Sequence, residues 1–183
     1  SGSYLLDLAV TKIAVLANDD PCNAISLPVN GIPQTGFSNQ NATATPFEFN
    51  LAPAAGSCLA SWCDTETGAR VKHAMWFKFL APFNGAVEVS TCGLADFDTQ
   101  IAMFSVGNCN NSATYSLVTA NDDGDGCSGF TSELATGIAI GQTYYILVDG
   151  YEDATGNLGI KITNLQASAV QNLAADADLL TVS

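Results

Sequence analysis

The stretch "HAMWFKFLAPFNGAVEVST", residues 73–91, decides the fold. In its first half His73, Met75, Phe77 and Phe79 fall on alternate positions. A period of two sends successive side chains to opposite faces of an extended strand, and aromatic and β-branched residues suit such a half-buried pleated surface. "APFNG" then supplies the Pro, Asn and Gly of a turn, and residues 86–91 return as a second strand. Working outward, similar segments recur at residues 25–29, 47–51, 99–106, 115–120, 132–138, 143–148 and 158–163. Clusters of Gly, Asn, Asp and Pro separate them, such as "GQT" ahead of the strand at 143–148. This spacing predicts an all-β chain, an antiparallel β-sandwich. Only residues 167–178 read as weakly helical.

The 183 residues suit one core, able to bury roughly 70% of the surface that the unfolded chain exposes. Apolar residues make up 48% and charged residues 13%, the balance of a folded globular chain. The net charge is −13, against five basic residues, Lys12, Arg70, Lys72, Lys78 and Lys161. Such a surface repels phosphate backbones and anionic lipid, which argues against nucleic-acid partners and favours cations. No charge-free apolar run reaches the ~18 to 20 residues of a membrane span, and no basic segment opens the chain, so the expectation is a mature, soluble protein without membrane insertion.

The six cysteines, Cys22, Cys58, Cys63, Cys92, Cys109 and Cys127, form no CxxC pair, and His73 is the single imidazole. That is poor zinc chemistry and good disulfide chemistry, which implies export to an oxidising place, extracellular or at the cell surface.

Antiparallel strands alternate in direction, so successive loops alternate between the ends of a sandwich. Counting from residue 86, the loops at 93–98, 121–130 and 149–157 share one end. They would bring Asp96, Asp98, Asp122, Asp123, Asp125, Asp149, Glu152 and Asp153 to one pole, beside Asn121. The same parity favours a Cys92–Cys127 bridge there, and leaves the partners of Cys22, Cys58, Cys63 and Cys109 open. Crowded carboxylates repel one another unless water or a cation intervenes, and ligands rich in oxygen suit calcium, which takes 6 to 8 of them. Calcium is therefore the expected cofactor. "NDDGDG", residues 121–126, is not an EF-hand loop: with Asn121, Asp123 and Asp125 at positions one, three and five, position twelve is Ser132, and Glu133 comes one place late.

Catalytic signatures are missing from the sequence: there is no GxSxG, HExxH, phosphate-binding or dinucleotide-binding fingerprint. Aspartates in Gly-flanked turns read as too wet to raise their pKa, and a lone strand histidine reads as structural. The chain is expected not to be an enzyme. Of the aromatic residues, Trp62 and Tyr151 lie in loops and are candidates for stacking on a surface ligand, whereas Trp76 reads as core.

Three parts are distinguished: residues 1–17, the sandwich at 18–166, and a tail at 167–183. "YLLDLAVTKIAVLA", residues 4–17, is apolar and alternates as Leu6, Leu8 and Val10 before changing phase around Lys12; "DLLTVS" ends the chain similarly. Each is an extra strand-like segment, and an unpaired apolar strand is a sticky edge.

"NDDPCNAISLPVNG" (18–31), "MWFKFLAPFNGAVEVSTCG" (75–93), "FDTQIAMF" (97–104), "NDDGDGC" (121–127) and "GQTYYILVDGYEDATGNLGIKI" (141–162) together resemble the bacterial pre-peptidase C-terminal domains. That resemblance implies a secreted, jelly-roll-like sandwich of a bacterial surface. Related collagen-binding sandwiches hold calcium through an acidic segment entering the first strand, which implies Asn18, Asp19 and Asp20 as a second candidate site. Family members often carry a cysteine where this chain has Ala120. The family is usually a module of a longer chain, whereas apolar strands flank this one. The expectation is a structural, adhesive subunit that self-associates into a filament by donating residues 5–16, with Leu5, Leu6, Leu8, Val10, Ile13 and Val15 as the assembly strand. The alternative is a carbohydrate- or polypeptide-binding accessory module of a secreted enzyme.

Overall fold

The computed structural model describes residues 16–63 and 70–166. The assembly strand expected from Leu5 to Val15 and the C-terminal tail lie outside the described residues. Among the described residues nine strands form two sheets: β1 (Ile25–Ser26), β3 (Met75–Leu80), β8 (Thr143–Gly150), β5 (Thr99–Val106) and β6 (Tyr115–Asn121) in one, β2 (Gln34–Ser38), β9 (Asn157–Asn164), β4 (Gly85–Ser90) and β7 (Glu133–Ile138) in the other. Every pairing is antiparallel except that of β1 with β3. The fold is an all-β sandwich. Numbering β2 to β9 as one to eight gives sheet orders 2-7-4-5 and 1-8-3-6, the winding of a jelly roll.

Alternation sets the core between the sheets. Met75, Phe77 and Phe79 of β3 point inward with Ile101, Met103, Ile146 and Val148, and meet Val87, Val89, Ile160 and Ile162 of the other sheet. The intervening residues of the five-stranded sheet are buried too. Trp76, Ala102, Phe104 and Leu147 form a second layer under Leu51, Trp62, Val71 and Ala74. Burial on both faces explains the unbroken apolar run at residues 101–104 of β5, whose first six residues are all buried.

Residues 47–51 do not form the expected strand. Pro46 opens a single helical turn, α1 (Pro46–Phe49), and Glu48 reaches back so that Thr45 N–H and Oγ1 donate to its Oε2 at 2.8 and 2.9 Å. Proline at the first helical position and this reciprocal bond override the apolar pattern. Residues 25–29 pair only over Ile25 and Ser26, because Pro28 ends the run. β2 was hidden by its polar composition, "QTGFS"; it pairs with β9, and Phe37 packs edge-on to Phe77 at 4.9 Å.

Three disulfides staple the sandwich, Cys22–Cys109, Cys58–Cys63 and Cys92–Cys127. They place its formation in an oxidising environment. No helix among the described residues is long and apolar enough to cross a membrane.

Candidate cation site at the acidic pole

β5 and β6 are antiparallel neighbours with Ile101 opposite Asn121. The residues just before β5 and just after β6 therefore meet at one end of the sheet. Asp98, Asp122 and Asp123 do so, with one carboxylate oxygen from each within 4.8 Å of the others. The turn is tight enough to need Gly124, where a Cβ would sit 2.5 Å from Cys127 Sγ and 3.0 Å from Glu133 N.

The acids are held from behind. The backbone N–H groups of Asp122 and Asp123 donate to the Cys58 carbonyl at 2.8 and 3.3 Å, and Cys63 N–H donates to Asp122 Oδ2 at 2.9 Å. Gln100 Nε2 donates to the same oxygen at 3.0 Å. Asn121 donates through Nδ2 to Cys58 and Asp123 carbonyls and accepts from Glu133 N–H at 2.7 Å, so its amide braces the turn. The Cys58–Cys63 disulfide thus closes a six-residue clip over the acid-bearing turn. Trp62 pins that clip to the sheet, its Nε1 donating to Ile101 O at 3.0 Å. Trp62 is fully buried, so it offers no stacking surface, contrary to the reading of its loop.

Asp98 Oδ1 is buried with no hydrogen bond among the described residues. Burial, then the charges of Asp122, Asp123 and Glu152, push the Asp98 pKa from 3.8 to about 7. A turn aspartate here is not too wet to shift, because Asp98 is partly buried and lines its cavity beside Cys63 and Phe130. The acids line a cavity of about 330 Å³ with Cys63, Phe130 and Tyr151. Phe130 is 65% exposed at its rim. Nearby sulfurs are all in disulfides and offer no thiolate, so the donor set is oxygen alone. Three carboxylates supply three to six oxygens, which fits a hard divalent cation such as calcium completed by water or ligand oxygens.

The other sequence candidates do different work. Asp96 accepts from the N–H and Nδ2 of Asn157 at 2.7 and 3.0 Å and ties two loops together. Asp125 is exposed outside the cluster, and Asp153 pairs with Lys72 Nζ at 3.4 Å. Asp149 is not a loop residue: it lies in β8, fully buried, and accepts N–H bonds from Lys72, His73 and Gly150 at 2.7, 2.8 and 2.9 Å. Burial still outweighs those donors and raises its pKa to about 6. Asn18 Nδ2 donates to Trp76 O, Asp19 accepts from Thr43 N–H and Oγ1, and Asp20 caps the turn at Cys22. Asp19 and Asp20 accept from the chain's own donors, and no cluster of three or more His, Cys, Asp or Glu among the described residues includes them.

The sequence reading missed Cys58, Cys63 and Phe130 as parts of this site. Their only signal is the spacing of two cysteines five residues apart, which permits a clip without saying what it grips.

No protein-family model matches the chain, and no curated protein matches it.

Proposed function

We propose that this chain is a non-enzymatic extracellular structural and adhesive protein, a subunit of a cell-surface filament that assembles by β-strand donation, stapled by disulfides and stabilised by calcium at Asp98, Asp122 and Asp123. The observation that carries the reading is the apolar alternation at residues 4–17, in sequence ahead of the two sheets and two buried layers formed among the described residues. The apolar series Leu6, Leu8 and Val10 suits a neighbour's sheet, where main-chain hydrogen bonds supply affinity and alternate side chains supply register. Head-to-tail donation does not close, so it propagates as a filament.

The accessory-module reading has one observation in its favour: Phe130 and Tyr151 flank the acidic cavity, where flat rings suit the C–H face of a sugar and a cation suits its hydroxyls.

The test is negative-stain electron microscopy of the full chain beside its Leu8→Ser, Val10→Ser variant. Filaments from the parent and dispersed, folded particles from the variant are expected. Dispersed particles from both, with retention on insoluble polysaccharide that Phe130→Ala abolishes, would replace the filament by the binding module.

A further inference from the structure

A donated strand needs an acceptor edge, and among the described residues the sandwich has four. β1 is two residues long, and beyond it Asn18 O and Leu27 N–H already occupy the edge of β3, bonded to Trp76 N–H and Lys78 O at 2.8 Å each. β2 follows Pro33, and its pairing with β9 is bulged between Gln34 and Phe37. β7 begins at Glu133 and contains Gly137. Charge, proline, bulges and short length are the devices that blunt an edge. β6 is different: "YSLVTAN" is seven residues without charge, proline or glycine. Among the described residues no strand pairs with its outer side. Leu117 and Val118 are 48% and 36% exposed on it.

β6 has one irregularity, an extra residue at Val118 where its register with β5 shifts. Tyr115, Leu117 and Ala120 lie opposite Val106, Phe104 and Ala102, and so share the sheet's outer face at a spacing of two and then three. The N-terminal apolar series changes phase in the same way: Leu8, Val10 and Ile13 are spaced two and then three. A strand with that pattern lies beside the bulge with its apolar residues on one face throughout, extending the layer formed by Trp76, Phe104 and Tyr115. A strictly alternating strand would turn half its apolar residues to the wrong face.

We infer that the outer edge of β6 is the acceptor for residues 5–15 of a second copy of this chain, with Leu8, Val10 and Ile13 beside Tyr115, Leu117 and Ala120. This rests on the strand-donation reading and adds where the strand goes. The occupant is a second copy because donation is what makes the contact propagate.

The experiment uses the full chain in two forms. Leu117→Lys changes an exposed side chain, so it should melt as the parent does while filaments, scored by electron microscopy, are lost. In the second form a photo-crosslinking amino acid stands at position 117 and equal parts of isotope-labelled and unlabelled chains are mixed. Cross-links to residues 5–15 joining labelled to unlabelled copies are expected. Filaments that persist in Leu117→Lys, or cross-links confined to other segments, overturn the β6 assignment while leaving donation standing if Leu8→Ser, Val10→Ser still abolishes assembly. Cross-links within single copies overturn the second copy as occupant. Filaments unaffected by either set of substitutions overturn donation itself.

Discussion

Asp98 and Asp149 sit at the same end of the sandwich in opposite circumstances. Asp149 takes three backbone donors, whereas Asp98 buries one oxygen that has no hydrogen bond among the described residues. Burial is the leading cause in both of a pKa raised from 3.8, to about 6 and about 7. In the unfolded chain both lose their protons near pH 4. Between pH 4 and 7 the folded chain therefore binds more protons than the unfolded one, and stability falls as pH rises through that window. Chelated protein should melt at progressively lower temperature from pH 4 to pH 7. Calcium at a hundredfold excess over its Kd should recover about 5–10 °C at pH 7, the effect of ~2.7 kcal/mol on a domain of this size. Asp98→Asn should flatten much of the pH trend and remove the calcium response; identical melts with calcium and with chelator would leave the cluster an acidic turn. The run "NDDGDG" announced this site, and loop parity joined Asp98 to it. What the sequence hid was which of the acids are satisfied by their own neighbours, since Asp96 and Asp149 acquire partners 61 and 76 residues away.

The three disulfides differ in what they hold. Cys22–Cys109 spans 87 residues of sequence and Cys92–Cys127 spans 35, whereas Cys58–Cys63 spans five. By loop-closure entropy the longest constrains the unfolded chain by about 4–5 kcal/mol and the shortest by about 2 kcal/mol. Replacing Cys22 and Cys109 by Ser should give the larger drop in denaturation midpoint. Replacing Cys58 and Cys63 should cost less, yet it loosens the clip that grips Asp122 and should abolish the calcium-dependent rise in melting temperature. A full calcium response in that double variant would show the clip to be irrelevant to the site. The strands themselves were legible where aromatic and aliphatic residues dominate, as in β3 and at β5, whose bounds the pattern gave at both ends. Two elements were not. β2 owes its place to β9 and one aromatic contact, and α1 to a proline and a glutamate that outvote two phenylalanines.

At the scale of the molecule, a net charge of −13 on each copy opposes any assembly of identical subunits. The proposed contact has no compensating charge at the acceptor, because β6 carries none. Its affinity comes from main-chain hydrogen bonds and apolar side chains, which salt screens little, while the repulsion between copies is long-range. The Debye length shortens from ~30 Å at 0.01 M ionic strength to ~8 Å at 0.15 M. The concentration needed for assembly should therefore fall as sodium chloride is raised across that range, measured by sedimenting filaments and assaying the supernatant. Calcium at levels too low to alter the ionic strength should add a further drop in the parent chain but not in Asp98→Asn, because a bound divalent ion offsets two charges at each acidic pole. Assembly that weakens with salt would mean that opposite charges hold the copies together, and the apolar strand would then not be the contact.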